Sequence, residues 1–151
     1  MTLFKKAAVL FTLFPVLFGD IKVINRSTSN EISIKTLKDE DKIYVSTKDL
    51  VTALSSRLYE NSERKKLVLY VSGKRIKITA GNSFLIIDDI AYQMVDIVKE
   101  YNDDFYLPAK DFFNILKKTV YPGLYFDMRR EILSIDIVRY NINGLKIEQK
   151  S

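Results

Sequence analysis

Two stretches of the chain match each other: Ile43-Tyr-Val-Ser-Thr-Lys-Asp-Leu-Val-Thr-Ala-Leu54 and, 62 residues further on, Phe105-Tyr-Leu-Pro-Ala-Lys-Asp-Phe-Phe-Asn-Ile-Leu116. Tyr, Lys, Asp and Leu are identical at equivalent places, and apolar residues match apolar residues at most of the others. A match of this length at a fixed offset predicts an internal repeat.

Each stretch has the pattern of a short strand that runs directly into a helix. Ser46 can cap the first helix, with Asp49 three residues later as the acidic partner of a capping box. Pro108 replaces Ser46 in the second stretch, where its fixed φ suits the start of a helix. The positions that we expect to carry this shared architecture are Tyr44, Ser46, Asp49, Leu50, Tyr106, Pro108, Asp111 and Phe112.

Composition limits the classes of function. The chain has 151 residues, 47% of them hydrophobic and 28% charged, which is typical of one ordinary folded domain. It contains no His and no Cys, and so lacks the commonest metal ligand and the commonest general acid or base. We therefore expect a protein that is not an enzyme and has no cofactor, catalytic residue or metal site. The formal charge of +5 is too small to indicate nucleic acid as a partner.

The order of segments predicts an exported protein. Residues 1–19 have the layout of a signal peptide, with Lys5 and Lys6, an apolar run and Gly19 before a cut at Asp20. The alternatives are an uncleaved membrane anchor and a buried N-terminal strand or helix. The anchor would be the only membrane contact that we expect. Residues 20–30 are predicted to be a linker, 31–138 the domain, and 139–151 a C-terminal strand or tail. The expected location is the periplasm, the cell envelope or the extracellular space.

The hydrophobic periods predict an α+β fold. We expect two copies of a β-hairpin, helix and β-hairpin unit in one compact domain, with antiparallel strands packed around two short helices.

Six basic residues form a candidate binding strip, with Tyr70 among them: Arg64, Lys65, Lys66, Lys74, Arg75 and Lys77. The strip is either a groove for a polyanion or a solvated face whose lysines protect a sheet edge. Because we do not expect an exported protein to meet nucleic acid, an anionic cell-wall polymer or anionic lipid is the partner that fits.

Two other groups of side chains have simple structural explanations. The acidic pairs Asp88-Asp89 and Asp103-Asp104 are typical of turns, and lack the spacing of a calcium loop. Four tyrosines are candidates for stacking on sugar rings, although core and rim packing explains them as well: Tyr101, Tyr106, Tyr121 and Tyr125.

With these motifs in place, the chain resembles the copper amine oxidase N-terminal-like domain, or stalk domain, over about residues 31–136. The resemblance rests on the two Tyr-x-x-x-Lys-Asp elements and on two aromatic-acidic segments, Tyr59-Glu60-Asn61 and Phe126-Asp127-Met128. The chain departs from the family pattern at Lys48 and Lys110, where Arg often stands, and in lacking the Gly that commonly follows the helix. The copper of the family name has no His or Cys to hold it here.

The resemblance implies an accessory module of the bacterial cell envelope. Domains of this family are frequently placed before cell-wall hydrolases such as N-acetylmuramoyl-L-alanine amidases. We therefore expect a non-catalytic stalk or binding module, with peptidoglycan or another anionic wall polymer as its partner. The alternatives are the N-terminal accessory part of such an amidase, which an in-frame continuation beyond Ser151 would support, and a small inhibitor or chaperone-like protein.

Overall fold

A computed structural model describes residues 17–137 of the chain. Within this range lie twelve strands and two helices. The strands are β1 (Leu17–Asn25), β2 (Asn30–Asp39), β3 (Lys42–Ser46), β4 (Arg57–Asn61), β5 (Lys66–Val71), β6 (Lys74–Thr79), β7 (Phe84–Ile87), β8 (Ile90–Gln93), β9 (Lys99–Tyr101), β10 (Asp104–Pro108), β11 (Tyr125–Asp127) and β12 (Ile132–Ile135). The helices are α1 (Thr47–Ala53) and α2 (Ala109–Thr119). The predicted α+β class is confirmed.

The strands form two sheets. A seven-stranded sheet has the order β11-β12-β1-β2-β3-β10-β9, and a five-stranded sheet has the order β4-β5-β6-β7-β8. The pairs in these sheets are antiparallel apart from β1 and β12, which run parallel with Lys22 opposite Ile132. That parallel pair joins the two ends of the described range.

The main core contains side chains from both sheets and both helices. Ile34 of the seven-stranded sheet, Leu69 and Ile76 of the five-stranded sheet, Leu50 of α1 and Phe112 of α2 belong to one cluster and are fully buried. Strand residues alternate between faces, so each sheet presents one face to this core. The opposite faces are therefore where surface sites can form.

The two matching stretches meet in the seven-stranded sheet. The first gives β3 followed by α1, and the second gives β10 followed by α2. Strands β3 and β10 pair antiparallel, with Tyr106 opposite Ser46, Leu107 opposite Val45, and Pro108 opposite Tyr44. Equivalent positions of the two stretches are thus related by a local two-fold axis between Val45 and Leu107.

The predicted linker at residues 20–30 is wrong for residues 20–25. These residues belong to β1, which is an interior strand of the seven-stranded sheet, between β12 and β2. Ile21 and Val23 alternate with polar residues and are 0% and 1% exposed, so this segment buries an apolar face and cannot be a free linker. The folded unit therefore begins well before Glu31.

Some predictions lie wholly or partly outside the described residues. Residues 1–16 of the predicted signal peptide and the predicted tail at 139–151 are among these, so both stay predictions. The expected cut after Gly19 falls inside β1. Neither helix in the described range is long and apolar enough to cross a membrane.

Candidate functional site

The matching tyrosines lie on the face of the seven-stranded sheet that is turned away from the main core. Tyr44 and Tyr106 form a small buried cluster with Leu37, and are 3% and 5% exposed. The Lys99 amine lies 4.4 Å from the centre of the Tyr44 ring, a cation–π contact. Burial raises the pKa of both phenols above the usual value. Both tyrosines therefore serve the fold.

The start of α1 is held by a buried carboxylate, that of Asp104. Asp104 was predicted to be a turn residue, but it begins β10 and is only 8% exposed. It accepts hydrogen bonds from the hydroxyls of Ser46 and Thr47, the latter at 2.9 Å, and from the backbone N–H of Lys48 at 3.3 Å. Ser46 also caps α1 as predicted, since its oxygen accepts from the Asp49 N–H at 3.2 Å.

The two repeated aspartates make equivalent contacts. The Asp49 carboxylate accepts from the backbone N–H of Lys35 at 2.7 Å, and the Asp111 carboxylate accepts from that of Val95 at 2.9 Å. Each aspartate thus ties the first turn of its helix to a preceding segment of backbone. This contact gives their recurrence a structural cause and leaves no need for a catalytic one.

A depression of about 220 Å³ lies beside the start of α2 and is lined by both charged and apolar residues. Within it the Lys42 amine and the Asp96 carboxylate are 2.7 Å apart, and this hydrogen bond raises the pKa of Lys42. Asp111 already accepts from Val95, so three of the five charged side chains in this lining have partners within the protein. Most of the charge in this depression is therefore used within the protein.

The predicted basic strip is divided between different surfaces. Lys66, Arg75 and Lys77 alternate with the buried Leu67, Ile76 and Ile78, and so lie on the outward face of the five-stranded sheet. The other three do not share this face. Arg64 and Lys65 lie in the turn between β4 and β5, and Lys74, at the start of β6, is two residues from Ile76 and therefore on the opposite face from Arg75.

Ion pairs neutralise part of the strip. Lys65 lies 3.4 Å from Glu100, Lys74 lies 3.2 Å from Asp88, and Arg75 and Lys77 lie 3.2 and 3.5 Å from Asp89. The backbone N–H of Arg75 and the Lys74 amine also hold the pKa of Asp88 below its usual value. In the described part of the chain, Arg64 and Lys66 make no ion pair.

Exposed aromatic residues stand on the same outward face, and the sequence analysis did not select them as sugar-stacking candidates. Tyr59 on β4 is 65% exposed and Tyr70 on β5 is 45% exposed. Together with Arg57 and Leu58 they line a shallow groove of about 320 Å³. The signal that would have found Tyr70 is the alternation of Leu67, Leu69 and Val71, which turns Tyr70 outward.

The four tyrosines that the sequence analysis did select do not form a sugar-binding face together. Tyr106 is buried, Tyr101 packs against Phe18 with ring centres 5.4 Å apart, and Tyr125 is exposed on β11. Burial raises the pKa of Tyr121, which is partly buried.

The residues present do not suit a copper ion. With no His and no Cys, the chain lacks the usual copper ligands. Among residues 17–137, Asp and Glu side chains also form no group of three or more that could hold a metal ion.

Comparison with protein families gives one match. The family described as the copper amine oxidase N-terminal domain matches residues 23–122, which run from within β1 to just beyond α2. Comparisons with curated proteins and with solved structures give no match. Since the family match spans about two thirds of the chain, this protein belongs to the copper amine oxidase N-terminal domain family.

Proposed function

We propose that the chain is a non-catalytic module of the bacterial cell envelope that is exported and contacts peptidoglycan or another anionic wall polymer. Membership of a family named for an N-terminal domain supports an accessory role. The structural roles of Ser46, Asp49, Asp104 and Asp111 support it too, because the most prominent polar groups are used to hold the fold.

The observation that carries the proposal is the mixture of side chains on the outward face of the five-stranded sheet. Basic groups at Lys66, Arg75 and Lys77 attract an anionic polymer, and the exposed rings of Tyr59 and Tyr70 offer flat apolar contact area. A face that carries both kinds of group on rigid strands suits a repetitive charged polymer.

Sedimentation with isolated peptidoglycan tests the proposal. The purified chain is mixed with insoluble peptidoglycan at low salt and centrifuged, with a protein of similar size and charge as the control. We expect the chain to enter the pellet, and to be released partly as added salt screens its basic groups. Recovery of the chain in the supernatant at low salt would contradict wall binding. Hydrolysis of the peptidoglycan by the purified chain would contradict a non-catalytic role.

A further inference from the structure

The outward face of β4, β5 and β6 has an ordered arrangement of rings and charges. Tyr70 stands between two arginines, because Arg57 of β4 and Arg75 of β6 are its direct neighbours across the sheet. Tyr59 lies two residues from Arg57 and pairs with Val68, which pairs in turn with Lys77. Directly paired side chains on one face of a sheet lie about 5 Å apart, so these groups form one continuous surface.

The ring of Tyr59 has no packing role comparable with that of its counterpart. Phe126 stands in the second aromatic-acidic segment, and its ring lies 4.9 Å from that of Phe113, centre to centre. Tyr59 stands in the first such segment and is 65% exposed on an edge strand. Packing therefore explains Phe126 and leaves the ring of Tyr59 available to a ligand.

The face has a surplus of positive charge. It carries Arg57, Lys66, Arg75 and Lys77, and the carboxylate that meets them is Asp89, which is shared by Arg75 and Lys77. Within residues 17–137, Arg57 and Lys66 make no ion pair. The Asp89 side chain is 74% exposed, and ion pairs that exposed exchange readily with solvent. An incoming anion therefore meets an open site at Arg57 and weakly held cations beside it.

From this geometry we infer that the face binds a glycan whose sugars carry carboxylate groups. The tyrosine rings stack on the flat apolar sides of sugar rings, and the arginine on each side of Tyr70 bonds a carboxylate through two parallel N–H groups. Two other anionic ligands fit this face less well. A polyol phosphate chain has no sugar ring on which the tyrosines could stack. A lipid surface would use the positive charge but not the tyrosine that lies between two arginines. The assignment deepens the proposed function, on which it rests, by naming the kind of polymer and the residues that hold it.

Titration with soluble polymers tests the assignment. Full-length chain is titrated by calorimetry with polygalacturonate, which has a carboxylate on every sugar, with neutral dextran, and with polyphosphate. We expect polygalacturonate to bind, and dextran and polyphosphate to bind at least about tenfold more weakly, since each lacks one of the two required groups. Absence of polygalacturonate binding, or equal binding of polyphosphate, would overturn the assignment.

Variants locate the binding site. We expect Tyr70→Ala and Arg57→Gln each to weaken polygalacturonate binding about tenfold, because each removes a central contact from an exposed position. The matched controls Tyr125→Ala and Arg129→Gln change exposed residues outside this face, and should leave the affinity unchanged. Equal losses in the controls, or no loss in Tyr70→Ala, would overturn the assignment, and thermal melting checks that every variant is folded.

Two further comparisons test this assignment independently of the proposed function and against a lipid ligand. If the natural chain and Tyr70→Ala sediment equally with peptidoglycan, wall binding stands and the assignment of this face fails. If the natural chain binds polygalacturonate through this face but does not sediment, the assignment stands and the wall role fails. Binding of phosphatidylglycerol vesicles through Arg57 and Tyr70, without polygalacturonate binding, would overturn the glycan in favour of a membrane.

Discussion

Asp104 shows how a single residue can be misjudged when only its neighbours in sequence are considered. It follows Asn102 and Asp103, which both have positive φ and form a turn, and it shares their polar character. Its side chain is instead buried and accepts hydrogen bonds from two hydroxyls and one backbone N–H at the start of α1. Those donors come from residues more than fifty positions earlier, so no local pattern could reveal the contact.

We expect Asp104→Ala to lower the free energy of unfolding by about 2–4 kcal/mol, since it leaves buried donors without their charged acceptor. The matched control is Glu100→Ala in the neighbouring strand β9, which removes a carboxylate from an exposed ion pair with Lys65 and should change stability by less than about 1 kcal/mol. Urea denaturation of the two variants measures the difference. Equal stabilities would show that the buried contacts of Asp104 contribute little.

At the level of elements, the two strand-to-helix segments could be predicted because their signals are local. A cap residue, an aspartate in the first turn and apolar residues at helical spacing all fall within twelve positions. The structure places α1 and α2 where these signals indicate. The pairing of β3 with β10 joins distant parts of the chain, so it could not be predicted from the spacing of residues in the sequence.

Because Asp49 and Asp111 make equivalent hydrogen bonds, they should contribute similarly to the free energy of unfolding. We expect Asp49→Ala and Asp111→Ala to destabilise the protein by similar amounts, about 1–2 kcal/mol each, because each removes one carboxylate that accepts a backbone N–H from a preceding segment. Thermal or urea unfolding measures both. A neutral effect at one position and a large loss at the other would argue against a shared role for the two aspartates.

For the whole molecule, the position of β1 was the largest difference between expectation and structure. Its apolar residues follow an apolar N-terminal segment and precede the polar stretch at residues 25–30. In that position the short alternation at Ile21 and Val23 does not stand out as a strand, and the segment was assigned to a linker. Its partner β12 lies more than one hundred residues away. The candidate binding face was predictable only in part for a similar reason: the alternation of Leu67, Leu69 and Val71 indicates that Tyr70 points outward, whereas the pairing that places Arg57 and Arg75 on either side of Tyr70 joins separate strands.

The central place of β1 has a measurable consequence. We expect Ile21→Ala to lower the free energy of unfolding by about 2–5 kcal/mol, because the side chain is fully buried in the core. Ile32→Ala on the adjacent strand, where the side chain is 37% exposed, should cost clearly less. If Ile21→Ala were as mild as Ile32→Ala, residues 20–25 would behave as the linker that the sequence suggested.

The account depends most on the claim that the outward face of the five-stranded sheet is the ligand-binding surface of this module. The direct measurement is a ¹⁵N-labelled NMR titration of the chain with polygalacturonate, followed residue by residue. We expect the shifted amide signals to cluster on β4, β5 and β6, around Arg57, Tyr59 and Tyr70. Shifts that cluster at the start of α2 or along β11, or a spectrum that the polymer leaves unchanged, would contradict the account.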